Sequence, residues 1–414
     1  MRKTRVFFSV ITLLAIWVNI LLTRKLNPFA ARLKSATTTT VTTAAFPQRP
    51  DIYCGTSERQ VDEIQIHVIG WRRLTPLASL LNQLEKANYD GWDIPVPLYI
   101  HLDGGAHPAV KELGENVSWA HGEKHIDIRE DNVGLREMWL SSLGDAAKAA
   151  GDNTLMLMFE DDTSVSSIYF QWILAAIDSY GRNRRCRDSN LMGFSLSPIR
   201  VEELSPPPFI PWNSKDVVGS SFAYLSVVPS SWGVAYWSDR WNEFSDFVDV
   251  RLKPPYYNTE EERSLITKKY DDLRLTPEEY QIPYCRSNVW PKSWKRFMID
   301  FMYARGLVML YPSLPGEMGL ATTLALAGEH VSADEGKNPR IADLATNYDY
   351  ATMTVFLPEF IMDVPVVGLH LGRTTRRELR RIGAKFLMGV QEKCDACDDL
   401  LRVWAPSGIL NFDK

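Results

Sequence analysis

Residues 155–165, L-M-L-M-F-E-D-D-T-S-V, constrain this chain more than any other stretch. The run 155–159 is apolar at every position with no period-two alternation, so it predicts a strand buried on both faces. It ends on three adjacent carboxylates, Glu160, Asp161 and Asp162. Acids crowded at the end of a buried strand repel one another and lose solvation, so a cation is expected to neutralise them. At the carboxyl end of a parallel strand they would stand on the ligand side of an open α/β sheet. Hard divalent cations such as Mg2+ and Mn2+ take oxygen ligands and bridge protein carboxylates to phosphates. The plainer alternative is a solvated strand-to-loop junction with acids in a turn.

The elements around this turn set the fold class. Strands are expected at 64–69 and 96–102, separated by an amphipathic helix over 74–87 with Leu77, Leu80, Leu81 and Leu84 on helical spacing. A second helix is expected over 132–150 and a third over 168–180, with further strands at 191–197 and 306–311. Strand and helix alternating at these spacings give βαβ units, hence a Rossmann-like, mostly parallel sheet flanked by helices. The G-x-G-x-x-G fingerprint is absent, which argues against a dinucleotide cofactor.

With 414 residues, 45% hydrophobic and 23% charged, the chain has room for a large core in one big domain or two ordinary ones. A net charge of −5 argues against a nucleic-acid partner. Arg2, Lys3 and Arg5 precede an uncharged apolar run, 6–22, closed by Arg24 and Lys25. That run predicts an uncleaved membrane anchor with a short cytoplasmic tail (1–5), a cleavable signal peptide being the alternative. Residues 23–60 have the Thr- and Pro-rich composition of a stem. A globular domain is expected over 61–372, then a basic helical tail over 373–414. One N-glycosylation sequon, Asn116-Val117-Ser118, fits a lumenal location. The five cysteines (Cys54, Cys186, Cys285, Cys394, Cys397) are too few for a disulfide scaffold, and the lone C-x-x-C lacks a second pair for zinc. One or two ordinary disulfides are expected in an oxidising lumen.

The segment F-E-D-D-T-S-V-S-S-I-Y-F resembles the metal-binding D-x-D region of glycosyltransferases with the GT-A fold. The likeness is to family 2-like enzymes, with similarity to the family 13 N-acetylglucosaminyltransferases. The resemblance implies a Golgi or ER single-pass type II membrane enzyme. It would move a hexose or N-acetylhexosamine from a UDP- or GDP-sugar to a hydroxyl of a glycan or glycoprotein, with inversion and with Mn2+ or Mg2+ bound. It implies that Asp162 binds the metal directly, that Asp161 and Glu160 meet sugar, ribose or metal-bound water, with Asp161 also in the metal's reach, and that His330 joins the same metal. It places Asp103, in the D-G-G turn, on the uracil or ribose, and Arg73 on the diphosphate or base, with Arg72 an equal competitor. Asn132 and Arg136 are implied at phosphate or ribose, and Trp232 and Gly233, in S-S-W-G-V-A-Y-W, on the acceptor side. The general base is where this chain departs from its relatives. The family 2 E-D pair is replaced by Trp294-Lys295, and the acids that follow W-P-K in family 13 are replaced by Arg296-Phe297. Asp300 and Glu317 are the remaining candidates. Three rival readings stay open: a metal-dependent nucleotidyl- or phosphotransferase or a hydrolase using the acid cluster, a catalytically inactive GT-A-like glycan-binding membrane protein, and a cell-surface adhesion module, which the threonine-rich stem permits but the α/β pattern disfavours.

Overall fold

In the computed structural model, β1 (Glu63–Gly70) leads through α1 (Leu74–Glu85) to β2 (Leu98–Leu102), then through α2 (Pro108–Asn116) to β3 (Lys124–Ile128). The chain crosses back through α3 (Gly134–Ala149) to β4 (Thr154–Glu160), which pairs with the other side of β1. These four strands are parallel and lie in the order β3-β2-β1-β4. The order reverses between β1 and β4, which makes the crevice at their carboxyl ends the natural ligand position of an open sheet. The structure describes residues 61–181, 187–204, 210–253, 256, 287, 290, 292–324, 326, 341–393 and 398–405, all within the unit Gly55–Lys414. The expected anchor and stem, the five cysteines and His330 lie outside the described residues. Among the described residues no helix is long and apolar enough to cross a membrane.

Burial follows the sequence pattern. Leu155 to Phe159 of β4 are fully buried, as the unbroken apolar run requires, while β3, at the edge, alternates half-buried and exposed. α1 turns Leu77, Leu80, Leu81 and Leu84 inward, each burial contributing about 1.5–3 kcal/mol.

The second half is more mixed than expected. β5 (Thr163–Val165) and α4 (Tyr169–Ala176) follow the acidic turn, and α4 runs on into a wide π-turn, Ile177–Gly181, within the helix expected to reach residue 180. Next come β6 (Leu191–Ser195), the short α5 (Lys215–Val218), β7 (Ala223–Ser226), β8 (Val234–Trp237), α6 (Ser238–Arg251), α7 (Lys295–Arg305) and β9 (Val308–Pro312). β8 inserts antiparallel between β4 and β6, so β6 again points its carboxyl end toward the crevice. Five of the nine neighbouring strand pairs of the ten-stranded sheet are parallel, so the sheet is parallel by a narrow margin. β10 (Ala321–Thr323) pairs with β5 as a separate ribbon. α8 (Tyr350–Phe356) is followed by β11 (Val366–Val367) and β12 (Arg373–Thr374), which close the far edge. α9 (Arg376–Lys393) and α10 (Asp398–Trp404) then pack back on the domain. The segment expected as a solvated basic tail thus buries Arg376, Leu379, Leu387 and Trp404.

Candidate functional site

Register sets the site. Ile69 of β1 lies opposite Glu160 of β4, so the turns 70–73 and 160–162 leave the sheet side by side. Arg73 stands directly before α1 and spreads its guanidinium over two carboxylates. Its Nη1 donates to Asp162 Oδ2 at 2.9 Å and its Nη2 donates to Asp161 Oδ1. Burial works against the Arg73 charge, but Asp161 and Asp162 outweigh it and raise the group's pKa. Burial pushes Asp161 upward against the pull of Arg73. Glu160 receives the Trp139 indole N–H at 3.0 Å, and burial, then the charges of Asp162 and Asp161, push it up to about 8. The β5–β10 ribbon pins the turn from the far side, with Leu324 N donating to the Asp162 carbonyl at 2.8 Å.

Asp103 sits at the end of β2 and is buried. Its Oδ1 accepts from the backbone N–H groups of Gly104 and Val133, both at 2.8 Å. Its Oδ2 accepts from Gly134 N and Asn132 Nδ2, both at 3.0 Å. A carboxylate offers about four acceptor sites, so Asp103 and Asn132 are spent on shaping the turn that enters α3. The D-G-G glycine is needed there, because a Cβ on Gly104 would lie 2.0 Å from the Asp131 carbonyl carbon.

These turns wall a cavity of about 650 Å3 at the carboxyl ends of β1, β2, β4 and β6. Trp232, Trp290 and Trp294 give it an aromatic side, Trp294 stacking on Trp139 at 4.2 Å between centroids. Its charged lining is balanced: Asp103, Glu160, Asp161, Asp162 and Glu203 against Arg72, Arg73, Arg200, Lys292 and Lys295. Among the described lining residues there are as many bases as acids, so these carboxylates have cationic side chains beside them.

Several expected residues fall elsewhere. Arg136, in the first turn of α3, does not line the cavity. Gly233 does not either; its φ of +64° makes the turn into β8, and a Cβ would meet that of Ala321 at 2.5 Å. Neither candidate base reaches the space. Asp300 is buried inside α7, its carbonyl capped by the Trp404 indole at 3.2 Å. Glu317 is buried with φ +55°, its Oε1 accepting from the Ser214 hydroxyl at 2.8 Å and its Oε2 from Ser214 N at 3.2 Å. The cavity instead holds Glu203, which the sequence reading passed over. Its Oε1 accepts from the Ser287 hydroxyl at 2.7 Å and its Oε2 from Lys295 Nζ at 3.3 Å. Lys295 belongs to the W-P-K-S-W-K segment, so this carboxylate stands in space beside the position where the sequence reading missed an acid.

The donor set does not fit the expected divalent cation as it stands. Such a cation needs several oxygens at close to 2 Å, and here Arg73 holds one oxygen each of Asp161 and Asp162. Among the described residues no three His, Cys, Asp or Glu side chains are grouped to bind a metal.

Fold and site together describe an α/β protein with a mixed-charge, aromatic-sided cavity at the switch point of its sheet. No family model matches the chain, and no curated protein does. Among solved structures it is similar to S. aureus TarS. The match to TarS 1–349 in complex with UDP-GlcNAc has 13% identity over 80% of this chain and 82% of that one, at a TM-score of 0.37. A second TarS 1–349 structure gives 14% identity, 48% and 52% coverage and a TM-score of 0.30. TarS itself gives 12%, 62% and 37%, and 0.31. The chain thus spans about half of the second TarS 1–349 chain and 37% of the longer one. These three structures are TarS, and none of them is a family 13 enzyme by its description.

Proposed function

We propose that this chain is a glycosyltransferase that moves a sugar from a UDP- or GDP-sugar to a hydroxyl of a glycan or glycoprotein. In this reading residues 6–22 anchor it in a Golgi or ER membrane, with the α/β domain in the lumen. The observation that carries the proposal is a convergence. The D-G-G turn, the E-D-D turn, Trp232 and the W-P-K-S-W-K segment, spread from residue 103 to residue 295, meet in one cavity. Its volume suits a nucleoside diphosphate sugar with part of an acceptor.

Arg72, Arg73, Arg200, Lys292 and Lys295 supply positive charge where a diphosphate would lie, and guanidinium pairs well with phosphate oxygens. The same charge stabilises the negative charge that grows as the bond from the anomeric carbon to the diphosphate breaks. Indole faces on the aromatic side suit the C–H groups of a pyranose ring. Glu203, kept close to the Lys295 ammonium, is the base in this proposal: it takes the proton from the acceptor hydroxyl as that oxygen attacks the anomeric carbon. A single displacement of this kind inverts the anomeric centre. Mn2+ or Mg2+ would neutralise the diphosphate if bound, but the carboxylates of Asp161 and Asp162 stand paired with Arg73.

The test is turnover by the purified full chain with UDP-, GDP- and CMP-sugars and a panel of glycan acceptors. Free UDP or GDP together with a sugar-extended acceptor is the expected product. Release of pyrophosphate or a nucleoside monophosphate would move the chain to the nucleotidyl- or phosphotransferases. Glycan binding with no turnover of any donor would make it an inactive binding protein.

A further inference from the structure

We propose that Arg73 is the built-in cation of the E-D-D turn, so that the diphosphate meets a guanidinium where a divalent metal ion would otherwise stand. The diphosphate half of this inference rests on the sugar-nucleotide reading above; the cation half does not.

Three observations carry it. The first is the pairing itself: one guanidinium bridges Asp161 and Asp162, with Nη1 at 2.9 Å from Asp162 Oδ2 and Nη2 on Asp161 Oδ1. Those are the oxygens a metal would need, and a planar fork of fixed donors is well matched to two neighbouring carboxylates. The second is that the pairing is written into the fold. The Ile69–Glu160 register brings the two turns together, and α1 begins at Leu74, so the backbone of Arg73 is held between a strand and a helix. Arg73 therefore has no need to swing in from a distant loop. The third is the position of the side chain, 30% exposed and part of the cavity lining, so the guanidinium that offsets the acids also faces the space where the diphosphate would lie. The acids, in turn, hold the guanidinium in place. In this arrangement Asp161 and Asp162 orient Arg73, and Arg73 contacts the ligand.

The experiment is a Mn2+ titration of the full chain followed by electron paramagnetic resonance, with UDP and GDP binding measured by calorimetry in Mn2+ and in EDTA. The wild-type chain is expected to leave Mn2+ free at sub-millimolar protein and metal. The affinity for UDP or GDP is expected to change less than about threefold between Mn2+ and EDTA. Arg73→Ala, checked for fold by circular dichroism, is expected to gain a Mn2+ signal that Asp162→Asn in the same background removes. It is also expected to lose at least about tenfold in nucleotide affinity in EDTA. A wild-type chain that binds one Mn2+ and loses it on Asp162→Asn alone would overturn the inference, whether or not Arg73→Ala folds. Absence of UDP and GDP binding in both buffers would instead sink the sugar-nucleotide reading, and the wild-type Mn2+ titration would still decide whether Arg73 excludes the metal.

Discussion

At the scale of single residues, the site divides its carboxylates by what holds them. Asp103 is wrapped by backbone N–H groups, Asp161 and Asp162 are held by Arg73, and Glu160 is pushed toward its neutral form. Glu203 sits against the ammonium of Lys295. Glu203→Gln is accordingly expected to lower kcat by about 10²–10⁴-fold. UDP or GDP binding should change little, because Gln keeps the shape and the contact with Ser287. Equal losses in kcat and nucleotide affinity would show that Glu203 shapes the pocket and does no proton transfer. Asp103→Ala makes the opposite kind of change. It strips the acceptor from the buried N–H of Gly104, at about 1–3 kcal/mol for a buried donor left unsatisfied, and from the part-buried N–H groups of Val133 and Gly134, which cost less. Urea denaturation should show that loss even with no ligand present. Glu203 was not legible in the sequence: it sits in V-E-E-L beside Glu202, with no motif around it, and only folding buries the one and leaves the other half-buried.

At the scale of elements, the N-terminal half could be read because local periodicity and three-dimensional environment agree there. β1, α1, β2, α3 and β4 all lie within a few residues of where the pattern puts them. β3 was missed because K-H-I-D-I alternates weakly at an exposed edge, and β8 because V-A-Y-W carries no information about direction. The same half contains a buried polar stripe with a pH signature. His67 of β1 stacks on Tyr99 at 4.7 Å, its Nδ1 faces His101 Nε2 at 3.0 Å, and its Nε2 donates to Gln65 Oε1 at 3.1 Å. Burial, then the neighbouring His101, hold the His67 pKa well below 6.5. The unfolded chain therefore takes up a proton near pH 6.5 that the folded chain refuses. The folded state is most stable above that pH and loses stability as the pH falls from 6.5 toward the depressed value. One such proton gives a slope of at most about 1.4 kcal/mol per pH unit. Stability measured by denaturant titration between pH 7.5 and 5.5 should fall less steeply in His67→Gln than in the wild type. Equal slopes would mean that His67 is protonated in the folded chain.

At the scale of the whole molecule, the order of the motifs could be read from the sequence but their partners could not. Arg73 and Asp161 are 88 residues apart, and Ser214 and Glu317 are 103 apart, distances over which local pattern says nothing about contact. The same limit misplaced the C-terminal segment. A-r-g-rich composition from residue 373 suggests a solvated face, yet every third or fourth residue of α9 is buried and α10 ends on Trp404, which is fully buried. Trp404 packs against Phe247 of α6 at 5.0 Å and Phe386 of α9 at 5.4 Å, and its indole donates to the Asp300 carbonyl of α7 at 3.2 Å. One side chain thus ties the C-terminal helices to the two helices that cover the late strands. That contact holds the backbone of Asp300, a buried residue that is not among the residues lining the cavity. If it is part of the fold, Trp404→Ala should cost about 3–5 kcal/mol, the usual range for a large aromatic removed from a core. Guanidinium denaturation of the full chain would read that cost as a lower midpoint. Because Trp404 does not line the cavity, UDP or GDP affinity under native conditions should stay within about threefold of wild type. A midpoint unchanged by the substitution would mean that α9 and α10 are an appendage after all, and that the basic composition had been the better guide.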